Sequence, residues 1–194
     1  MNNGSNGEQL SSIASLRERA RHHIERGAVT ESYAADRATV LRLLNEALAT
    51  ELVCTLRYRR HYFMANGVHA EAIKEEFRTH AQEELEHADR IAARIVQLDG
   101  APNFDPQGLA ERSHAEYVPG TTLNDMIREN LIAERIAIDS YKEMVGYVGA
   151  RDSTTRRMLE EILAKEEEHA EDLASMLNAV APAEADGSRG SDHV

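Results

Sequence analysis

The sequence predicts an all-α protein: an antiparallel four-helix bundle with a long crossover between its second and third helices and an extra helical segment before the first. Three observations carry this. Four long segments repeat apolar residues at alternating steps of three and four, and no strand-period pattern competes. Short linkers join the first segment to the second and the third to the fourth, which favours antiparallel neighbours, while the middle linker is long. A set of acidic and imidazole residues also occurs twice: Glu51 with Glu84-Leu85-Glu86-His87, and Glu134 with Glu166-Glu167-Glu168-His169. Glu51 and Glu84 are 33 residues apart and Glu134 and Glu166 are 32 apart. At a rise of about 1.5 Å per residue, each gap fits one helical hairpin.

In chain order, residues 1–34 form an N-terminal arm in which Ser11–Arg26 reads as a short helix ended by Gly27. The bundle spans residues 35–180. Its first helix runs from about Ala35 to Asn66, with the seam Val40, Leu44, Ala47, Glu51, Cys54, Tyr58, His61. The second runs from about His69 to Leu98, with the seam Ile73, Phe77, His80, Glu84, His87, Ile91. Asp99–Thr121 carries Pro102, Pro106 and Pro119 and must cross the length of the bundle. The third helix runs from about Thr122 to Gly149; Thr122 with Asp125 resembles a capping box with Asp in place of Glu. Its seam is Ile127, Leu131, Glu134, Ile138, Tyr141, Val145, Val148. The fourth runs from about Thr154 to Val180 behind Ser153 as N-cap, with the seam Leu159, Ile162, Glu166, His169, Leu173, Met176, Val180. Residues 181–194, rich in Ala, Pro, Gly, Ser and Asp, read as a mobile tail.

A chain of 194 residues is long enough for one domain with a sizeable core. It has no run of about 18 apolar residues, so no membrane span is expected, and the polar start Met1–Leu10 shows no secretory signal. Cys54 is the single cysteine, which excludes an internal disulfide and a cysteine-based zinc or rubredoxin-type site. These features predict a cytoplasmic protein. The net charge of −12 opposes general nucleic-acid binding and suits attraction of cations.

The inward stripe of each helix is apolar except near its middle, where it holds Glu51, then Glu84 and His87, then Glu134, then Glu166 and His169. Buried carboxylates are costly unless neutralised or paired, and four together raise one another's pKa. No lysine or arginine occupies the central seam positions, whereas two divalent cations would balance four carboxylates. Residues at i and i+3 share a helix face, so Glu84 with His87 can grip one metal and Glu166 with His169 the other, with Glu51 and Glu134 capping or bridging the pair. Carboxylate and imidazole donors without thiolate suit iron or manganese. Tyr58 and Tyr141 stand seven residues after Glu51 and Glu134, placed to hydrogen-bond the carboxylates or act as redox-active neighbours. Cys54 reads as an ordinary buried cysteine and His80 as a core histidine beside the site. His61 and His114 read as surface or rim residues, and Arg57, Arg59 and Arg60 as a solvated face or subunit contact. Glu83, Glu86, Glu167 and Glu168 read as solvent-facing.

The set Leu44-Asn45 through Glu51 to Tyr58, Glu84-x-x-His87-Ala88-Asp89-Arg90, Glu134 and Glu166-x-x-His169 resembles bacterioferritin over roughly Thr39–Leu177. The resemblance implies a ferritin-like bundle and a di-iron ferroxidase centre with metal ligands Glu51, Glu84, His87, Glu134, Glu166 and His169, and Tyr58 in the catalytic set. It implies two iron ions per subunit, with manganese or zinc as substitutes, oxidation of Fe(II) by O2 or H2O2, and storage of ferric mineral in a hollow homo-oligomer. Bacterioferritins bind haem through a methionine where this chain has Leu85, so haem is not expected. The unsuitability of residues 181–194 for a fifth helix, the long crossover and the leading helical segment are similar to the Dps-like miniferritins called thioferritins, although their cysteine pair is missing. A twelve-subunit shell is therefore favoured over twenty-four. Two alternatives stand beside this: a peroxide-reducing di-iron or di-manganese enzyme without storage, of rubrerythrin or catalase type, and a Dps-like stress protein that coats DNA. DNA is not an expected partner, because Glu18, Glu25 and the global charge oppose the basic segment Arg17–His23.

Overall fold

The computed structural model describes residues 10–67 and 70–180. Among these residues the regular elements are all helical: α1 Ile13–Arg19, α2 Arg37–Met64, α3 Ala70–Gln97, α4 Leu109–Arg112, α5 Leu123–Val148 and α6 Ser153–Val180, with 3₁₀ turns at Ile24–Arg26 and Gly149–Arg151. The four long helices make the predicted all-α bundle, α2 packed chiefly on α3 and α5 on α6, and the two hairpins meet through α2–α5 and α3–α6. No helix among the described residues is long and apolar enough to cross a membrane. His69 and residues 181–194 lie outside the described residues.

The core has two large apolar clusters with a polar layer between them, and a small third cluster of Cys54, Ala115 and Ala133. One gathers Val40, Leu44, Leu48, Ile91, Ile95, Met144, Val148, Leu159 and Ile162. The other gathers Tyr58, Ile73, Phe77, Ile127 and Leu173. Each fully buried aliphatic or aromatic side chain contributes about 1.5–3 kcal/mol, so the clusters clamp the helices on both sides of the middle layer. That clamp sets the register of the polar positions.

The ends of the helices follow local chemistry, with three departures from expectation. The capping box at α5 is present: Asp125 N–H donates to Thr122 Oγ1 at 3.1 Å, and Thr122 N–H donates to Asp125 Oδ2 at 3.0 Å. Before it, Gly120 has φ +59°, and a Cβ there would meet the Met126 backbone nitrogen at 3.0 Å, so the turn into α5 requires glycine. The first departure is the cap of α6, which is Asp152 rather than Ser153. Its carboxylate accepts Thr155 N–H at 2.9 Å and Thr155 Oγ1–H at 2.6 Å. It also accepts the Arg94 guanidinium at 2.8 and 3.0 Å and the Tyr33 hydroxyl at 2.9 Å. This buried knot joins the segment before α2, the end of α3 and the start of α6.

The second departure is in the arm, where the single helix expected over Ser11–Arg26 is split. Ser12 caps α1 by accepting Ser15 N–H, and the chain turns after Arg19 into the 3₁₀ turn that ends at Gly27. The third is α4, a single turn inside the crossover. The crossover itself runs the length of α2, as the bundle geometry requires. Asn103 N–H donates to Asn45 Oδ1 at 2.7 Å, His114 N–H to Thr50 Oγ1 at 2.9 Å, and Arg57 Nη1 to the Glu116 carbonyl at 2.9 Å.

Candidate metal centre

Glu51 comes from α2, Glu84 and His87 from α3, Glu134 from α5, and Glu166 and His169 from α6. All six are buried, none more than 5% exposed. Their potential ligand atoms fall into two sets, each within a 4.8 Å span: Glu51, Glu84, His87 and Glu166, and Glu84, Glu134, Glu166 and His169. Glu84 and Glu166 belong to both. The two glutamates of the Glu-x-x-His motifs thus stand between the sets, while Glu51 and Glu134 stand at opposite ends. Sequence spacing left Glu51 and Glu134 free to cap or to bridge; in the structure each belongs to one set only. The histidines also reach across hairpins: His87 Nδ1 lies 2.8 Å from Glu166 Oε1, and His169 Nδ1 lies 3.4 Å from Glu84 Oε1.

Glu51 and Glu134 are each held from the other hairpin. The Tyr141 hydroxyl, on α5, donates to Glu51 Oε1, and the Tyr58 hydroxyl, on α2, donates to Glu134 Oε1. Burial, together with the carboxylate it serves, keeps each phenol's pKa well above its ordinary value, so both remain donors. Glu83 is half-buried rather than solvent-facing. Its carboxylate accepts His169 Nε2–H at 2.6 Å, and the other oxygen lies 3.5 Å from Lys165 Nζ. This pins the ring so that Nδ1 faces the centre.

What remains unpaired is informative. Glu51 Oε2, Glu84 Oε1, His87 Nδ1, Glu134 Oε2, both carboxylate oxygens of Glu166 and His169 Nδ1 are buried and make no well-formed hydrogen bond. Such atoms cost about 1–3 kcal/mol each when nothing satisfies them, more if charged. Burial, and then the neighbouring carboxylates, push Glu84 and Glu134 well above the usual carboxylate range and raise Glu166. Burial also opposes charge on Glu51 and His87. Close polar and charged neighbours outweigh it (Glu84, His87 and Tyr141 around Glu51; Glu166 and Glu51 around His87), so Glu51 is lowered and His87 is raised to about 10. The protein alone therefore favours protons on Glu84, Glu134 and Glu166, and sets Glu51 against His87 at 3.4 Å. The donor set also fits two divalent cations, which would satisfy the orphaned atoms and cancel four negative charges.

The surroundings correct other expectations. His61 is fully buried rather than at a rim, with Nδ1 and Nε2 each 3.0 Å from Asn130 Oδ1 and the Pro119 carbonyl. Arg57 is likewise buried, its Nε donating to Asn130 Oδ1 at 3.0 Å and its Nη2 reaching Cys54 Sγ at 3.4 Å. The crossover covers this face of α2, and α2 alone carries no sign of that. Arg59 is exposed, and Arg60 is half-exposed with its guanidinium on the Pro119 carbonyl. Cys54 is buried, and desolvation raises its pKa, so it is held as an inert thiol. His114 sits half-exposed against Ser140 Oγ at 2.7 Å. Glu86, Glu167 and Glu168 are exposed as expected. Glu83 was missed because it stands about 100° around α3 from Glu84, and only the α3–α6 packing turns it inward.

The ferritin-like domain matches residues 41–181 of the chain. A bacterioferritin from Mycobacterium avium is 33% identical over 139 residues, which cover 71% of this chain and 83% of that protein. Bacterioferritin BfrA from Mycobacterium tuberculosis is 33% identical over 141 residues, with the same coverage. Among solved structures, the dodecameric thioferritin related to bacterioferritin from Bacteroides fragilis superposes with a TM-score of 0.74 at 33% identity, covering 76% of this chain and 89% of that one. Dps from Thermosynechococcus elongatus has a TM-score of 0.70 at 20% identity over 75% and 96% of the two chains, a likeness of fold.

Proposed function

The chain belongs to the ferritin-like family, and from that premise we propose that it oxidises Fe(II) to Fe(III) at the buried carboxylate–imidazole centre, with O2 or H2O2 as oxidant, and stores the ferric product in a hollow homo-oligomer in the cytoplasm. One observation carries the reading: two overlapping four-residue donor sets share Glu84 and Glu166, and their inward atoms lack protein partners. Two iron ions there would each release one electron, together supplying the two that reduce H2O2 to water or O2 to H2O2. The same oxygen and nitrogen donors accept manganese or zinc.

The residues divide the work. Glu84 and Glu166, which belong to both sets, would serve both ions, His87 with Glu51 would hold one and His169 with Glu134 the other. Glu83 orients His169, and Tyr141 and Tyr58 hold Glu51 and Glu134 in one pose each, so little side-chain entropy is lost on binding. Tyr58 thus serves the centre through Glu134. Protons retained on Glu84, Glu134 and Glu166 leave as cations arrive, which makes loading pH-dependent. Leu85, at the position where a haem-ligating methionine would stand, is on the exposed side of α3 and offers no sulfur, so the proposed function has no haem. Twelve subunits are favoured over twenty-four, on the likeness to the dodecameric thioferritin.

The test is stopped-flow Fe(II) oxidation in Glu51→Ala and Glu134→Ala variants. Each is expected to lower the initial rate by about 100-fold, a loss of roughly 3 kcal/mol in barrier terms, with helical circular dichroism retained. Rates equal to wild type in both variants would refute the assignment. Light scattering after iron loading under air separates storage in a shell from turnover in a small oligomer.

A further inference from the structure

We propose a third divalent-cation site, built by Glu76, His80 and Asp172 on the α3–α6 face, that loads the buried pair; this rests on the two-cation reading of the centre. Glu76 and His80 are one turn apart on α3, and Asp172 is one turn beyond His169 on α6, so the helix period brings all three to one seam. Their potential ligand atoms lie within 4.8 Å of one another.

His80 is the residue that makes this a built site. It is 1% exposed. Its Nδ1 lies 3.2 Å from the Tyr58 hydroxyl. Its Nε2 makes no hydrogen bond among the described residues, and Asp172 Oδ2 stands 3.8 Å away. That separation is too long for a hydrogen bond, but two donors that each sit about 2.0–2.2 Å from one cation lie about 3–4 Å apart. Two carboxylates and one imidazole match the charge and donor preference of Fe(II), Mn(II) or Co(II). The carboxylates are solvent-accessible, so water can complete the coordination.

The site also joins the centre. The His80 ring stacks on His169, with centroids 4.0 Å apart and planes inclined by 21°. His80, Glu83 and His169 form a further set of potential ligand atoms within 4.8 Å. Glu83 is already engaged by His169 and Lys165, so it serves as an orienting group between the two sites. Potential ligand atoms therefore run without a wide gap from Asp172 and Glu76 at the surface, through His80, to His169 and Glu84.

Cobalt(II) binding to the assembled full-length protein tests this. Wild type should take up three cobalt ions per subunit. The Glu76→Gln, Asp172→Asn double variant, altered only at accessible carboxylates, should take up two. Its final d–d spectrum should match that of the central pair, but the pair should fill several-fold more slowly in stopped-flow mixing. Glu166→Gln should lose the central pair and keep the outer ion. A double variant that binds as many ions as wild type, or fills its pair as fast, overturns the inference and leaves the central reading intact. A Glu166→Gln protein with the wild-type spectrum overturns both.

Discussion

At the residue scale, the six inward donors are held by groups outside their own set. Glu83 fixes the tautomer and tilt of His169 through a 2.6 Å hydrogen bond. Glu83→Ala is expected to lower Mn(II) affinity about 10–100-fold by calorimetry, with the helical content unchanged. Affinity within a factor of two of wild type would show that packing alone orients the ring. The six inward residues were legible in the chain because each falls on its own helix's apolar stripe. Glu83, Arg57 and His61 were not, since a residue off that stripe is buried or exposed according to what the neighbouring element lays over it. The two tyrosines show the same limit. Their spacing of seven put them on the faces of Glu51 and Glu134, but each serves the carboxylate of the opposite hairpin.

At the element scale, the Asp152 carboxylate combines a helix cap with the buried partner of Arg94. Removing it strands the guanidinium and uncaps α6. Asp152→Ala should cost about 3–5 kcal/mol in urea unfolding, the range for breaking a buried ion pair. Asp152→Asn keeps the acceptor for Thr155 and should cost less. If the two variants unfold at the same urea concentration, the charge contributes nothing. This knot was hidden because Ser153, also a good cap residue, sits beside it, and because Tyr33 and Arg94 are distant in sequence. The capping box at Thr122 was readable because all its atoms lie within three residues.

At the scale of the whole molecule, pH acts in two opposing ways. Burial holds His61 down at about 4 and His80 at about 3, from an ordinary 6.5. The unfolded chain takes up these protons near pH 6.5 while the folded chain does not, so stability falls as pH drops from 6.5 towards 4. The loss is at most about 3 kcal/mol for His61. Asparagine at position 61 should flatten that window in denaturation measured at pH 7, 6 and 5. The raised carboxylates Glu84, Glu134 and Glu166 act the other way. They bind protons more tightly folded than unfolded, so the cation-free protein loses stability as pH rises above the carboxylate range. Added Mn(II) should therefore raise Tm more at pH 7.5 than at pH 5. Glu166→Gln should be more stable than wild type without cations and gain little from them. An equal Tm gain at both pH values would mean that the carboxylates hold no protons for the metal to displace.

By itself the sequence determined the four helices, their antiparallel pairing, the long crossover and the identity of the inward carboxylates and imidazoles. These follow from the 3.6-residue period, linker length and local capping, which act within one element or between neighbours. Only the tertiary structure decided that Glu84 and Glu166 fall in both donor sets, that Tyr58 and Tyr141 cross between hairpins, and that His80 faces Asp172. Those relations depend on the rotation and height of one helix against another, which are set by how the two apolar clusters pack and by where the crossover lies on α2.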